Sequence, residues 1–370
     1  MPTPRKLKAI GSISGTSMDG IDVAVITTDG VDQVEAGPGA TYPYPSDLAC
    51  DLKAILSNPA IAETDPLTAL EQRVTDAHTA AIQRLIRDQG IDPLSIDVVG
   101  MHGQTVYHRP EKRFTRQLCD GARAAATLGR DVVTEFRLAD VAAGGQGAPL
   151  APLYHRALAV AGGLALPVMV LNLGGVGNVT YIDRDSVIAF DTGPASALID
   201  DFVRRRMGMD FDDGGRIAAR GVVDRDVLTA LMANPFFDVP PPKSLDRNDF
   251  HARAGIVERL SDADGVATLA AFTIAATAAA VRHVPSRPAR WLVAGGGRLN
   301  GAFMAGLRHS LAVPVDPVET MGCNGDIIEA QCFGYLAVRS LAGLPLSLPT
   351  TTGVPRPMPG GRHYAAAPKA

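Results

Sequence analysis

Leu7-Lys8-Ala9-Ile10-Gly11-Ser12-Ile13-Ser14-Gly15-Thr16-Ser17-Met18-Asp19-Gly20-Ile21-Asp22-Val23-Ala24-Val25 is the stretch on which the fold turns. Residues 7–13 form a short apolar run of strand type, residues 14–20 are polar and glycine-rich, and Ile21, Val23 and Val25 then alternate with Asp22 and Ala24. This pattern predicts a hairpin with a glycine-rich tip. It returns at residues 168–182, with a strand over 168–173, a tip at Gly174-Gly175-Val176-Gly177-Asn178 and a return strand over 179–182. A third strand over 187–190 ends at Asp191-Thr192-Gly193, and residues 291–294 end at Gly295-Gly296-Gly297 before a helix over 300–311.

Between the two hairpins the chain alternates. Residues 48–56 and 66–88 have helical spacing, the second with Leu67, Leu70, Val74, Ala77, Ala81 and Leu85 on one stripe, and Gly90 ends it. Strands are predicted at 96–101, running into Gly103, and at 131–136, before the loop that holds Gly144, Gly145 and Gly147. Alternating strands and helices argue an α/β class. The repeated hairpin-led unit argues two related lobes with a cleft, placed at 1–135 plus about 340–370 and at 136–339. The last 28 residues, with six prolines and four glycines, read as an extended tail. Pro240-Pro241-Pro242 before Lys243 reads as a rigid loop presenting that lysine.

A length of 370 residues with 46% apolar and 20% charged residues supports a sizeable core and argues against disorder. Against 39 acidic residues stand 35 basic ones, so no basic footprint for nucleic acid is present. The four cysteines, Cys50, Cys119, Cys323 and Cys332, show no metal-binding or disulfide spacing, which fits a reducing cytoplasm. No signal peptide is apparent at the N-terminus. The charge-free stretches 157–182 and 265–281 carry proline, glycine or threonine and read as buried core rather than membrane spans.

The 38 glycines cluster in loops, and glycine lets backbone N–H groups approach phosphate oxygens closely. Neither GxxxxGK[ST] nor a full GxGxxG is present, so Walker and Rossmann sites are disfavoured. Hairpin tips supplemented by Thr16, Ser17 and Asn178 remain as phosphate grips. Phosphoryl transfer also needs a cation and a base. Asp19 and Asp22 lie in or just after the first tip, and Asp191 at a strand end is the best base candidate, although Asp is equally at home capping the helix after Pro194. Asp19 has a turn role as its alternative. His102-Gly103-Gln104-Thr105 and Asp140 with Gln146 suit a hydroxylated acceptor, set against an ordinary structural role for His102. Glu329 faces either the acceptor or solvent, with solvent favoured, and Arg204, Arg205 and Arg206 read as a surface run.

Taken in order, Gly15 to Asp22, His102 to Thr105, residues 139–150, Asn172 to Asn178, Phe190 to Pro194, Pro242-Lys243-Ser244 and Gly295 to Gly297 resemble the anhydro-N-acetylmuramic acid kinase family. The resemblance covers about residues 10 to 335. It departs from the usual pattern at Ala195-Ser196, at Arg298-Leu299 and after Ser244. It implies two ribonuclease-H-like lobes of the actin-like ATPase fold, with ATP and Mg2+ as cofactors. It also implies conversion of 1,6-anhydro-N-acetylmuramic acid to the 6-phosphate of N-acetylmuramic acid in peptidoglycan recycling. On this resemblance Gly15, Thr16, Ser17, Met18, Asp19, Gly20, Ile21 and Asp22, with Gly174, Gly175 and Asn178, bind phosphates, and Asp19 meets the metal directly or through water. Gly295, Gly296, Gly297 and Asn300 lie by adenosine, and Asp191 is catalytic. His102, Gln104, Thr105, Asp140, Gln146, Lys243 and Glu329 face the sugar. A homodimer in the cytoplasm is implied, with no membrane or nucleic-acid partner. Two alternatives stay open at this point: a kinase of the same fold with another acceptor, and an assembly or chaperone ATPase of the actin and heat-shock type.

Overall fold

A computed structural model describes residues 5–15, 18, 20–245 and 250–367. Its strands, in chain order, are β1 Leu7–Ser14, β2 Ile21–Thr28, β3 Val34–Tyr42, β4 Val98–Arg109, β5 Phe114–Leu118, β6 Asp131–Thr134, β7 Val168–Leu173, β8 Val176–Ile182, β9 Val187–Pro194, β10 Arg290–Ala294, β11 Val315–Pro317 and β12 Arg362–Tyr364. They form two sheets, one in each of two compact units. The first unit comprises Met1–Gly163 with Asp326–Ala370, and the second Leu164–Gly325.

In the first unit β1 pairs antiparallel with β2 and parallel with β4, β2 pairs antiparallel with β3, and β4 pairs parallel with β6. The second unit repeats this: β7 is antiparallel to β8 and parallel to β10, β8 is antiparallel to β9, and β10 is parallel to β11. The second sheet runs β9-β8-β7-β10-β11, and the first runs β3-β2-β1-β4-β6 in the same ribonuclease-H-like arrangement, with β5 added on β4 and β12 on β6; both are led by the hairpin seen in the sequence. Successive residues of β1 serve opposite faces. Ile10 joins Val74, Ala81, Ile82 and Leu85 of the helix Thr68–Asp88 in one core. On the other face Gly11 of β1 and Gly100 of β4 lie against the backbone of the helix Ile328–Leu341, at Ala330 and Phe333.

That helix moves the division of the chain from the positions expected at 135/136 and 339/340 to 163/164 and 325/326. The helices Pro152–Ala161 and Ile328–Leu341 pack within the first unit, with the Tyr154 hydroxyl donating to Gln331 Oε1 at 3.0 Å. The C-terminal segment is likewise no loose tail. Leu346 N donates to Met358 O at 2.7 Å, β12 pairs antiparallel with β6, and Leu346, Thr351, Thr352 and Val354 are buried. Pro349 opens the short helix Pro349–Thr352, where a missing N–H costs no hydrogen bond.

In the second unit the helix Asp262–Ala279 begins at Ser261, whose hydroxyl accepts from Asp264 N, and its apolar residues join the central core. With its continuation to His283 it is long and apolar enough to cross a membrane, but its faces are taken up by the helices Ser196–Met207 and Gly301–Leu311 and by β9. This agrees with the core reading of residues 265–281.

Candidate active site

In the first unit, the candidate residues gather where the parallel strands end. β1 finishes at Ser14, and Met18 N closes a turn on Gly15 O at 3.2 Å with Met18 at φ 56°. Thr16, Ser17 and Asp19, expected as phosphate and metal contacts, lie outside the described residues. A buried hydrogen-bond chain supports the turn from below. Ser12 Oγ meets His78 Nδ1 at 2.7 Å, His78 Nε2 meets the Tyr44 hydroxyl at 3.2 Å, and Gln104 Nε2 donates to Gly15 O at 3.4 Å. Burial pushes His78 down to about 3, so the ring is neutral and supplies one donor and one acceptor. Gln104, expected at the sugar, is fully buried in this support. Gly20 packs against Tyr42 backbone, and Asp22 Oδ1 accepts from the Thr41 hydroxyl across the β2–β3 pair at 2.6 Å.

His102 is only 3% exposed and packs on Phe333. Its Nδ1–H donates to Gly103 O at 3.0 Å, and its Nε2 accepts from Arg137 Nε at 2.9 Å. Burial first, and then the Arg137 charge, hold its pKa well below the ordinary histidine range. The structural reading of His102 therefore applies to the ring itself. What it orients is Arg137, whose Nη1 also donates to Gly147 O at 2.6 Å. Glu329 stands exposed on the first turn of the helix Ile328–Leu341, with Arg137 and Asp22 as the charges acting on it. Solvent reaches Glu329, yet surrounding protein crowds it, and this desolvation raises its carboxyl while Arg137 acts the other way. Arg137 has no counterpart among the residues picked out from the sequence. Its signal there is a single arginine just after a strand, which carries no distinctive spacing.

Asp140 is 2% exposed and both of its oxygens are engaged. Oδ1 accepts from Gly147 N and Oδ2 from the Thr352 hydroxyl, both at 2.6 Å, while Gln146 N donates to Thr352 O at 2.7 Å. Asp140 thus shapes the loop that presents Gln146 and is not itself free for a sugar. Thr105 is half-buried and accepts from Gln117 Nε2 at 3.3 Å. Replacing Thr352 with Val keeps the shape and removes the donor to a buried carboxylate, so stability should fall by about 1–3 kcal/mol. A thermal midpoint equal to that of the wild type would rule out this role.

In the second unit the tip between β7 and β8 is only Gly174 and Gly175, because β8 begins at Val176. Their carbonyls accept from the amides of Ala195, Ser196 and Ala197 at 3.0–3.2 Å, which fixes the tip to the start of the helix Ser196–Met207. Asn178 is therefore not a tip residue. It lies in β8 in register with Asn172 of β7 and Asp191 of β9, and opposed residues of adjacent strands share a face. Next to the tip, Gly295 adopts φ 74° against the Leu173 carbonyl and Gly297 packs on Leu173. Asn300 caps the helix Gly301–Leu311, its Oδ1 accepting from Ala302 N and Phe303 N. Arg298, where the chain departs from the family pattern, is nearly buried and braces this turn, with Nε on Glu319 Oε1 at 2.7 Å and Nη1 on Gly295 O at 3.1 Å. Arg204, Arg205 and Arg206 pair with acidic neighbours at the exposed end of their helix, as expected for a surface run.

Asp191 lies inside β9, which continues to Pro194, and the next helix is capped at Ala195 with no side-chain bond. The capping alternative therefore falls. Asp191 N donates to Lys243 O at 3.0 Å, and its Oδ2 accepts from Leu245 N at 2.7 Å. Burial pushes the carboxyl up to about 7, against the weaker pull of the Leu245 amide and Lys243. Lys243 is not presented to solvent by the proline loop. It is half-buried, and its Nζ donates to Phe236 O at 2.9 Å.

Two ribonuclease-H-like units, each led by a glycine-tipped hairpin, define the actin-like ATPase fold class. The model of the family described as anhydro-N-acetylmuramic acid kinase matches residues 7–366. A relative of that name in Rhodospirillum rubrum is 50% identical over 97% of this chain and 94% of its own length. One in Acidiphilium cryptum is 51% identical over 98% of this chain and 100% of its own. The chain belongs to the anhydro-N-acetylmuramic acid kinase family, and is an ATP-using sugar kinase. Solved structures lie further off. An activator of 2-hydroxyisocaproyl-CoA dehydratase from Clostridium difficile with bound ADPNP is 10% identical over 91% of this chain and 97% of that one, with a TM-score of 0.43. A ROK family glucokinase from Streptomyces griseus in complex with glucose and AMPPNP is 14% identical over 89% and 97%, with a TM-score of 0.38. With the family established, the assembly ATPase and the kinase for an unrelated acceptor are set aside.

Proposed function

We propose that Asp191 is the base of a coupled hydrolysis and phosphoryl transfer on 1,6-anhydro-N-acetylmuramic acid. The observation that carries this reading is a carboxylate anchored through Oδ2 and raised to about 7, near the pH at which a general base works best. Asp191 takes one proton from water as the water oxygen bonds to the anomeric carbon. The bond from that carbon to the 6-oxygen breaks, the 6-oxygen bonds to the γ-phosphorus of ATP, and the bond from that phosphorus to the β-bridging oxygen breaks to release ADP. The proton on Asp191 then passes to solvent.

Phosphate contacts fall to the loop from Gly15 to Asp22 and to Gly174 and Gly175, whose carbonyls are already occupied by helix amides. Gly295, Gly296, Gly297 and the Asn300 cap form the adenosine turn. To Arg137, held by His102 and Gly147, we assign the carboxylate that distinguishes a muramic from a glucosamine sugar, since an arginine fork suits a carboxylate. Gln146, Thr105 and Glu329 supply polar contacts for the sugar's 4-hydroxyl and acetamido groups.

Among the described residues no three His, Cys, Asp or Glu side chains form a metal cage. This fits a magnesium ion carried by the nucleotide phosphates and met by one or two carboxylates, with Asp19 and Asp22 as the residues to hold it. When bound, it neutralises charge developing on the phosphoryl oxygens. The setting we infer is the cytoplasm, in keeping with four cysteines and no disulfide.

The test is turnover in oxygen-18 water, quenched in the first turnovers before the anomeric hydroxyl exchanges. Label should appear on the anomeric oxygen and not on the phosphate. Label on phosphate, or none on the sugar, sinks the coupled mechanism.

A further inference from the structure

Around Asp191 the loop over residues 234–245 is folded by its own polar groups. The Asn234 side chain accepts from Phe236 N at 3.0 Å and starts a short turn, Pro235–Asp238. Lys243 then returns over that turn. Its ammonium donates to Phe236 O at 2.9 Å, lies 4.6 Å from the Phe236 ring centroid and sits 3.4 Å from His283 Nε2, a packing contact because that nitrogen gives its hydrogen to Phe237 O. His283 in turn meets Phe237 O through Nε2 at 2.7 Å and sets its ring edge-on to Phe190, the residue before Asp191. Two hydrogen bonds join the folded loop to β9: backbone Asp191 N donates to Lys243 O, and Leu245 N donates to the Asp191 side chain at Oδ2.

We infer that Lys243 and His283 form a latch that closes this loop on β9, so that Lys243 is a positioning residue for the base and not a sugar contact. This inference rests on the reading of Asp191 as the base. The ammonium is already engaged by a carbonyl and by aromatic faces, which leaves the loop closure as its task. The same charge favours the ionised Asp191 carboxylate. Lys243 is the charge acting on Asp191, while Asn172 and Asn178 on the sheet beside it are uncharged. Around Lys243 itself stand Asp238 on the loop and Arg282 and His283 at the end of the long helix.

Lys243→Met keeps the length of the stem over the rings and removes both bond and charge. In steady-state assays across pH 5.5 to 9, kcat should fall by about 10-fold to 100-fold, the scale of a small misplacement of a catalytic group. The KM for the sugar should stay within about twofold, as expected when an interaction made only in the transition state is weakened. Loss of a neighbouring positive charge raises the Asp191 pKa, so the acid limb of kcat should move to higher pH. His283→Gln, which retains the lysine charge, should lower kcat with that limb in place, and it decides the matter if Lys243→Met does not fold. A raised KM with unchanged kcat would make Lys243 a sugar contact and overturn the latch. An unmoved limb in a folded Lys243→Met protein would overturn it too. Asp191→Asn, measured alongside, separates the two readings: if it stays active the base assignment itself has failed, whereas an inactive Asn variant beside an unaffected Lys243→Met protein rejects the latch alone.

Discussion

Asp191→Asn should fold and lose about 10²-fold to 10⁴-fold in kcat, the range supplied by a positioned general base. Asparagine keeps an oxygen for the Leu245 amide, so the geometry of β9 and the loop is preserved while the proton acceptor is lost. The pH profile makes the assignment specific. A base must be deprotonated to act, and burial has pushed Asp191 up to about 7 in the free protein, so wild-type kcat/KM should drop as pH falls through 7 rather than through 4.

Stability should move the opposite way. A carboxyl whose pKa is higher in the folded than in the unfolded protein binds more protons in the folded state, so it destabilises the fold progressively as pH rises from about 4 to 7. The Asn variant escapes this and should be more stable than the wild type at pH 8, by on the order of a few kcal/mol, and similar to it near pH 4. Equal thermal midpoints at pH 8 would show that Asp191 is not desolvated in the free protein. Full activity of the Asn variant would remove it from the mechanism.

The second large effect concerns folding. A methyl group added at Gly11 falls on the carbonyl oxygen of Ala330, with Gly334 N also too close, and these are backbone atoms of the helix Ile328–Leu341. Neither strand nor helix can yield by turning a side chain. Overpacking in cores costs typically about 1–3 kcal/mol, and Gly11→Ala should lie at or above the top of that range. Gly255→Ala is the control, since nothing lies within 4 Å of its added carbon. Denaturant midpoints compare the two, and a Gly11→Ala protein as stable as its control would refute the close approach of helix to sheet.

These glycines show what the sequence conceals. Alternation and tip composition made both hairpins legible at residues 7–25 and 168–182, and with them the class of fold. Gly11 and Gly100 offered no sign that they serve helix packing, because a glycine within a strand looks the same whether it meets a helix, a ligand or a bulge. Asp191 was legible as a candidate, but its place was not. The apolar run stops at Phe190, and only the ladder to β8 shows that the strand continues to Pro194. Asp140 and Thr352 lie 212 residues apart in the chain, and no local pattern links them. Arg137 and Lys243 depend in the same way on contacts made by folding, the first with His102 and Gly147, the second with Phe236 and His283.

The order of the elements along the chain carries a further consequence for synthesis. β1 leaves the ribosome long before the helix that seals it at Gly11, which does not emerge until Leu164–Gly325 has been made. The first unit therefore cannot complete its packing before the second has been synthesised, the reverse of the usual order in which an N-terminal domain is finished first. The inner unit has all five of its strands in hand while β1 still waits with its apolar face uncovered, and that nascent intermediate is the one a holding chaperone would have to shield.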